Sequence, residues 1–193
     1  MTDEFRFSVR AWRVMASTPV LANRWLTVRQ DVCALPDGRI VDDYYVVADP
    51  NVACVVALTS DGQCLLVEQY KHGIGRACLE IPGGLFDESD ADPLAVAQRE
   101  LREETGFSSE RWLKLGVMAI SPSRTSVQMH LFAALDCRQV SEQSLDPNEE
   151  IIVHQRPLAE ALALVRNGTI DAATSVAGLL LATAELRERG LVE

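Results

Sequence analysis

Arg99, Glu100, Glu103 and Glu104 crowd into the stretch QRELREETGF. Carboxylates at this density either form a solvated helix face laced with i,i+4 partners or hold something positively charged. Spacing weighs one against the other. Asp92 suits an N-cap, Pro93 the first helical position and Gly106 a left-handed C-terminal cap, so a helix is predicted over 93–105. At about 100° per residue with Glu100 at zero, Glu103 falls near about 300°, Glu104 near about 40°, and Val96, Ala97 and Leu101 near about 320°, 60° and 100°. The three glutamates therefore border the apolar stripe, while Arg102 points away. Unbalanced, each close pair there repels by up to about 4 kcal/mol at an effective dielectric near about 20, and a divalent cation would supply the counter-charge. Carboxylate-only sites suit the hard ions Mg²⁺ and Mn²⁺ and, through them, substrate phosphates. Just upstream, Pro82, Gly83 and Gly84 read as a tight loop whose backbone can approach a metal or phosphate closely.

The elements that must position these groups follow from local patterns. FSVRAWRVM at 7–15, RWLTVRQDVCAL at 24–35, the turn PDGR and IVDDYYVVA read as a small antiparallel sheet. DP at 49–50 punctuates the chain, and VACVVALT at 52–59 is continuously apolar, as for a strand covered on both faces. TSDGQ turns into CLLVEQY, and the loop KHGIGR leads to LEIPGG. Further strands are predicted at WLKLGVMAI, VQMHLFAAL and EEIIVH, and helices at PLAEALALVRNG and from Ala172 to about Arg189. The expectation is an α+β fold with mixed sheet: residues 1–48 as an N-terminal antiparallel sheet and 49–193 as a second, larger domain.

Composition narrows the function classes. The formal charge of -10 argues against holding nucleic acid through its phosphates. No apolar run approaches the roughly 20 residues that span a bilayer, and MTDEFRFSVR lacks a signal-peptide stretch, so a cytoplasmic protein without membrane partner is expected. The cysteines at 33, 54, 64, 78 and 137 lack disulfide or zinc spacing and read as small buried apolar residues.

With these residues in view, the stretch resembles the Nudix box, G-x5-E-x7-R-E-U-x-E-E-x-G-U, U being bulky and apolar. Arg99, Glu100, Leu101, Glu103, Glu104, Gly106 and Phe107 match its second half. In the first half Gly84 lies one residue further from Arg99 than the pattern asks, and Ala91 stands where the first glutamate should be; Asp90 or Asp92 is the candidate substitute. RWLTVRQDVCALPDGRIVDDYYVV, LLVEQYKHGIGRACLEIPGG, SPSRTSVQMHLFAAL and NEEIIVHQRPLAEALALVRNGTI extend the likeness to the ADP-ribose and nucleoside-diphosphate-sugar pyrophosphatase branch.

The resemblance implies a Nudix-type α/β/α sandwich and Mg²⁺-dependent hydrolysis of a nucleoside diphosphate linked to a second moiety, with Mn²⁺ as a substitute ion. By position, Glu100 and Glu104 would ligate the metal, Glu103 would ligate it or help activate water, the Gly83 carbonyl would add a ligand and Arg99 would brace helix and loop. It also implies a homodimer built by exchange of the N-terminal sheets, and an acidic residue in the loop after SP, which SRTSVQ lacks. The general base is then Glu103, or Glu149 or Glu150 from DPNEE. Lys71, Arg76 and Arg124 are candidates for holding phosphates, and Trp25 for stacking on a base. The competing classes are a nucleotide-sensing Nudix module without turnover and a Nudix hydrolase for another dinucleotide such as NADH.

Overall fold

The structure, a computed structural model, describes residues 7–87 and 89–192. The first six residues of the 1–48 region thus lie outside the described residues. The chain separates into two compact units, Met1–Asp49 with Ser121–Val127, and Pro50–Ile120 with Gln128–Glu193.

In the first unit, β1 (Arg13–Ala22), β2 (Thr27–Ala34) and β3 (Ile40–Val47) form an antiparallel sheet in that order. Gly38, at φ 89°, makes the PDGR turn, with Leu35 and Arg39 joined by a 2.9 Å backbone bond. The first strand departs from the pattern-based expectation: it begins at Arg13 and continues through Pro19 to Ala22. Proline interrupts a central strand, but β1 is an edge strand, and its pairing with β2 shifts register between Pro19 and Leu21. Asp31 is buried between Ser17, whose hydroxyl donates at 2.6 Å, and Arg29 at 3.1 Å. The Ser17 bond does most to hold its pKa below the usual carboxylate value, against the cost of burial. The segment 121–127 joins this unit through Val47, whose N–H donates to Arg124 O, and Tyr44, whose hydroxyl donates to Ser123 O.

The second unit is built on β4 (Val52–Thr59). Its residues alternate between two cores, as the period of two in a strand requires. Cys54, Val56 and Leu58 pack with Leu179, Ala182 and Leu186 of α3 (Ala173–Glu188), while Ala53, Val55 and Ala57 pack with Val96, Ala97 and Leu101 of α1 (Pro93–Thr105). A strand buried on both faces must be apolar throughout, which is why VACVVALT is legible as one. β4 runs parallel to β10 (Gln128–Gln139), and the sheet order is β11 (Ile151–Pro157), β5 (Gln63–Lys71), β4, β10, β8 (Phe107–Ser108). β9 (Arg111–Ala119) pairs with β10, and α2 (Leu158–Arg166) lies between β11 and α3 in sequence. The result is the mixed-sheet α/β/α sandwich.

Two local features differ from expectation. Beyond a 3-10 turn at His72–Ile74, the loop KHGIGR already contains the start of β6 (Arg76–Glu80), which pairs with β5. Pro82–Gly84, expected as a loop, instead leads into β7 (Gly83–Leu85), paired with β4 through Cys54 and Gly83. A glycine pair looks like a turn locally; here it permits backbone contact. A Cβ at Gly83 would collide with Ala53 O and Cys54 Cα, so only glycine lets β7 reach β4. Among the described residues no helix is long and apolar enough to cross a membrane.

Candidate active site

α1 has the predicted ends. Asp92 accepts the Leu94 N–H at 3.0 Å, and Gly106, at φ 76°, donates to Arg102 O. Fully burying Leu101 contributes about 2 kcal/mol, and with Val96 and Ala97 it fixes the helix's rotation against the sheet. The rotation turns Glu104 inward, to 5% exposure, leaves Glu100 largely covered, and leaves Glu103 half-exposed, with Arg102 exposed.

Glu104 lies against β7 and accepts the Gly83 N–H at 2.8 Å. Burial pushes its pKa up to about 8; the Gly83 bond opposes that rise and the Glu100 charge adds to it. Burial likewise raises Glu100 to about 7, outweighing its 2.8 Å ion pair with Arg99, while Glu103 and Glu149 raise it further. Gly84 makes room for Glu100: a Cβ there would fall on the Glu100 carboxylate.

The helix phases call for a counter-charge beside the glutamates, and in the structure Arg99 supplies part of it. Its guanidinium pairs with Glu100, with Glu103 at 3.1 Å and with Asp90 at 3.4 Å, and donates to Leu85 O at 3.3 Å. Burial works against the Arg99 charge, yet Glu100, Glu103 and Asp87 together hold its pKa above the ordinary value. Asp92 is spent on the helix cap, and the lengthened loop offers Arg99 Asp90 at 3.4 Å and Asp87 at 3.8 Å. Glu103 is drawn toward Arg99, and among the described residues no three His, Cys, Asp or Glu are grouped as a ready metal cage.

The remaining candidates are distributed unevenly. Lys71 pairs with Glu80 at 3.2 Å, and its charge lowers the Glu104 pKa. Arg76 pairs with Asp171, and Lys71, Arg76, Glu80 and Asp171 line one cavity of about 350 Å³. Glu80 is a residue that sequence reasoning misses; its signal is the alternation in LEIPGG, which sets it opposite Leu79 and Ile81. Of the adjacent pair in DPNEE, Glu149 rather than Glu150 is the one whose charge raises Glu100 and Glu104. Trp25 and Arg124 belong to the first unit; Trp25 is 69% exposed under the Arg24 guanidinium, not in a core. A larger concavity of about 630 Å³ opens on the outer side of α1 beside Gln98, Arg102 and Trp112; it reaches Glu103 but neither Glu100 nor Glu104. All five cysteines are free and buried, and Cys54, pushed up to about 12 chiefly by burial and then by Glu104, stays a thiol.

The family profile described as NUDIX domain matches residues 48–175, which include the whole carboxylate helix and the glycine strand. The chain belongs to the Nudix family. A second profile, the nucleoside diphosphate sugar hydrolase N-terminal domain, matches residues 12–47. The chain is similar to the ADP-ribose pyrophosphatase of Mycobacterium tuberculosis, at 31% identity over 154 residues, 79% of this chain and 74% of that protein. It is also similar to the ADP-ribose pyrophosphatase of Bacillus subtilis, at 28% over 167 residues, 86% and 89% of the two. A solved ADP compounds hydrolase superposes with a TM-score of 0.82 over 97% of this chain and 100% of that one; at 24% identity it establishes the Nudix fold. The matched domain and these relatives make the chain a Nudix pyrophosphohydrolase.

In this Nudix box, Gly84→Ala should push the Glu100 carboxylate out of place. A misplacement of this kind is expected to cost about a hundredfold in kcat/KM, while stability changes little because the atoms that must move end a flexible side chain. Steady-state kinetics and thermal melts of the variant check both, and wild-type kcat/KM would show that the close approach has no functional weight.

Proposed function

We propose that the chain hydrolyses the pyrophosphate bond of ADP-ribose or a nucleoside-diphosphate sugar with Mg²⁺, Mn²⁺ substituting, and releases a nucleoside monophosphate and a phosphorylated product. The observation that carries this reading is the buried Glu104 and the largely covered Glu100, held beside the Gly83–Gly84 backbone with pKa values raised to about 8 and about 7. Such oxygen donors, buried with too little positive charge around them, fit a hard divalent cation.

In this reading Glu100, Glu104 and the Gly83 carbonyl would hold the metal, and Glu103 would join them or orient water by leaving Arg99. When bound, the cation lowers the pKa of water and neutralises charge on the phosphate oxygens. Arg99 keeps the loop carrying Asp90 against the helix. Glu149 takes the proton as the water oxygen bonds to phosphorus, and the bond from phosphorus to the bridging oxygen breaks, leaving the second phosphate on the departing product. Glu149 takes this role in place of Glu150, because its charge is the one felt by Glu100 and Glu104. Lys71 and Arg76 of the second unit, and Trp25 and Arg124 of the first, are the proposed substrate-binding residues.

A homodimer belongs to the same reading. β1 is exposed along its whole length, including Val14, Met15, Val20 and Leu21, apolar surface that a second copy would cover. Residues 1–48 are accordingly proposed as the dimerisation element and 49–193 as the hydrolase domain. Buried free thiols suit a reducing compartment, and a cytoplasmic location is part of the proposal.

Incubation with Mg²⁺ and ADP-ribose, ADP-glucose, GDP-mannose or NADH, following nucleoside monophosphate, tests the substrate class. Release from ADP-ribose or a nucleotide sugar is expected to exceed that from NADH. Silence across the panel with nucleotide binding intact would leave a sensing module instead.

A further inference from the structure

The last carbonyls of a helix have no partner within it. In α1 two of them are met by a distant segment. Ser144 N–H donates to Glu103 O at 2.9 Å, and the side-chain amide of Gln143, 39 positions beyond Glu104, donates to Glu104 O at 2.6 Å. The same Gln143 nitrogen donates to Ile151 O at 3.2 Å. Both neighbours are carbonyl oxygens, so the amide must present its NH₂ to them, and one hydrogen serves each.

The consequence is mechanical. Glu104 O belongs to the helix that carries the buried carboxylates, and Ile151 opens β11. Bridging them fastens both ends of the 144–150 segment to the frame of the sandwich. Glu149 sits near the far end of that segment and is itself fixed locally: its carboxylate accepts the Asp146 N–H at 3.1 Å, and its own N–H donates to Asp146 O at 2.9 Å. The segment is otherwise exposed and holds little apolar surface, so its placement depends on these few polar ties.

We propose that Gln143 is a positioning residue, which by bridging Glu104 O and Ile151 O holds the 144–150 loop so that Glu149 is presented to the reacting water. This rests on the role given above to Glu149. The amide acts on no reacting atom; it limits how far the loop swings.

Gln143→Asn keeps the amide but shortens its reach by one methylene, so it can serve one carbonyl and not both. Turnover of ADP-ribose with Mg²⁺ should be measured for wild type, Gln143→Asn, Glu149→Gln and the double variant. A loop displaced by roughly an ångström costs on the order of tenfold to a hundredfold in rate, so kcat of Gln143→Asn should fall by that factor with KM held within about twofold. In the Glu149→Gln background the same change should matter by less than about twofold, since there is no base left to misplace. Amide exchange over 144–150 should accelerate in Gln143→Asn while α1 stays protected. An equal loss in both backgrounds would overturn the proposal, because Gln143 would then act independently of Glu149. If Glu149→Gln alone keeps wild-type turnover, the base assignment falls, and unchanged exchange over 144–150 in Gln143→Asn would overturn the clamp as well.

Discussion

Glu104→Gln should lower turnover about a thousandfold or more, the scale of losing a group that holds developing charge in a closed site, while leaving the metal-free fold steadier at alkaline pH. Glutamine keeps the volume and an acceptor for the Gly83 N–H, and it removes the buried charge. Glu104 has a folded pKa of about 8 against an ordinary 4.5, so the folded protein holds this proton more tightly than the unfolded chain does. Stability of the metal-free protein is therefore fully present below the unfolded value and is lost as pH rises through the folded one. Glu100, raised to about 7, acts in the same direction over a narrower range. Together they lower stability on the order of 3 kcal/mol between about pH 5 and 8. Thermal melts in EDTA across that range should fall for wild type and fall distinctly less for Glu104→Gln, in which Glu100 alone still carries the effect. Adding Mg²⁺ at pH 8 should raise the wild-type melting temperature and do little for the variant, because ligand binding stabilises only the form that binds. Near wild-type turnover in Glu104→Gln would refute its place in the metal site, and a flat wild-type curve would refute the burial argument.

Arg99→Met should come second in effect. The substitution keeps most of the length and removes the one charge that faces Glu100, Glu103, Asp90 and Asp87 together. Arg99 is about one-third exposed, so solvent screening reduces the loss from the several kcal/mol of a fully buried pair to about 1–3 kcal/mol. Activity should drop on the order of a hundredfold, because the 85–90 loop and the helix lose their common anchor. Arg99→Lys should recover only part of it, since a single ammonium cannot serve four carboxylates and Leu85 O at once. Arg102→Met is the control: it lies on the exposed face of the same helix and should stay within about 0.5 kcal/mol and near wild-type kcat. Equal behaviour of the two arginine variants would show that total charge, and not the fork at Arg99, is what counts.

Much of this site is legible in the order of residues alone. The limits of α1 are, because Asp92, Pro93 and Gly106 act within a residue or two of the backbone they cap, and the inward tilt of Glu100 and Glu104 follows from the period of the helix. β4 is legible because burial on two faces leaves no polar position. The start of β1 is not, since Pro19 reads locally as a break, and only its place at a sheet edge lets the strand continue. β7 is hidden for a similar reason: Pro82–Gly84 signals a turn, and its pairing depends on Ala53 and Cys54, about thirty residues upstream. Glu80 escapes notice because a single acid between apolar neighbours has no pattern of its own.

The sequence by itself determined the limits of α1, the doubly buried strand β4 and which helix would gather three glutamates, because capping and periodicity act over a few residues. Only the tertiary structure decided that Asp90 and not Asp92 pairs with Arg99, that the charge of Glu149 is the one that raises Glu100 and Glu104, and that the Gln143 amide bridges Glu104 O and Ile151 O. Those choices depend on which distant backbones come within hydrogen-bonding reach, and that distance is set by the packing of the whole sandwich.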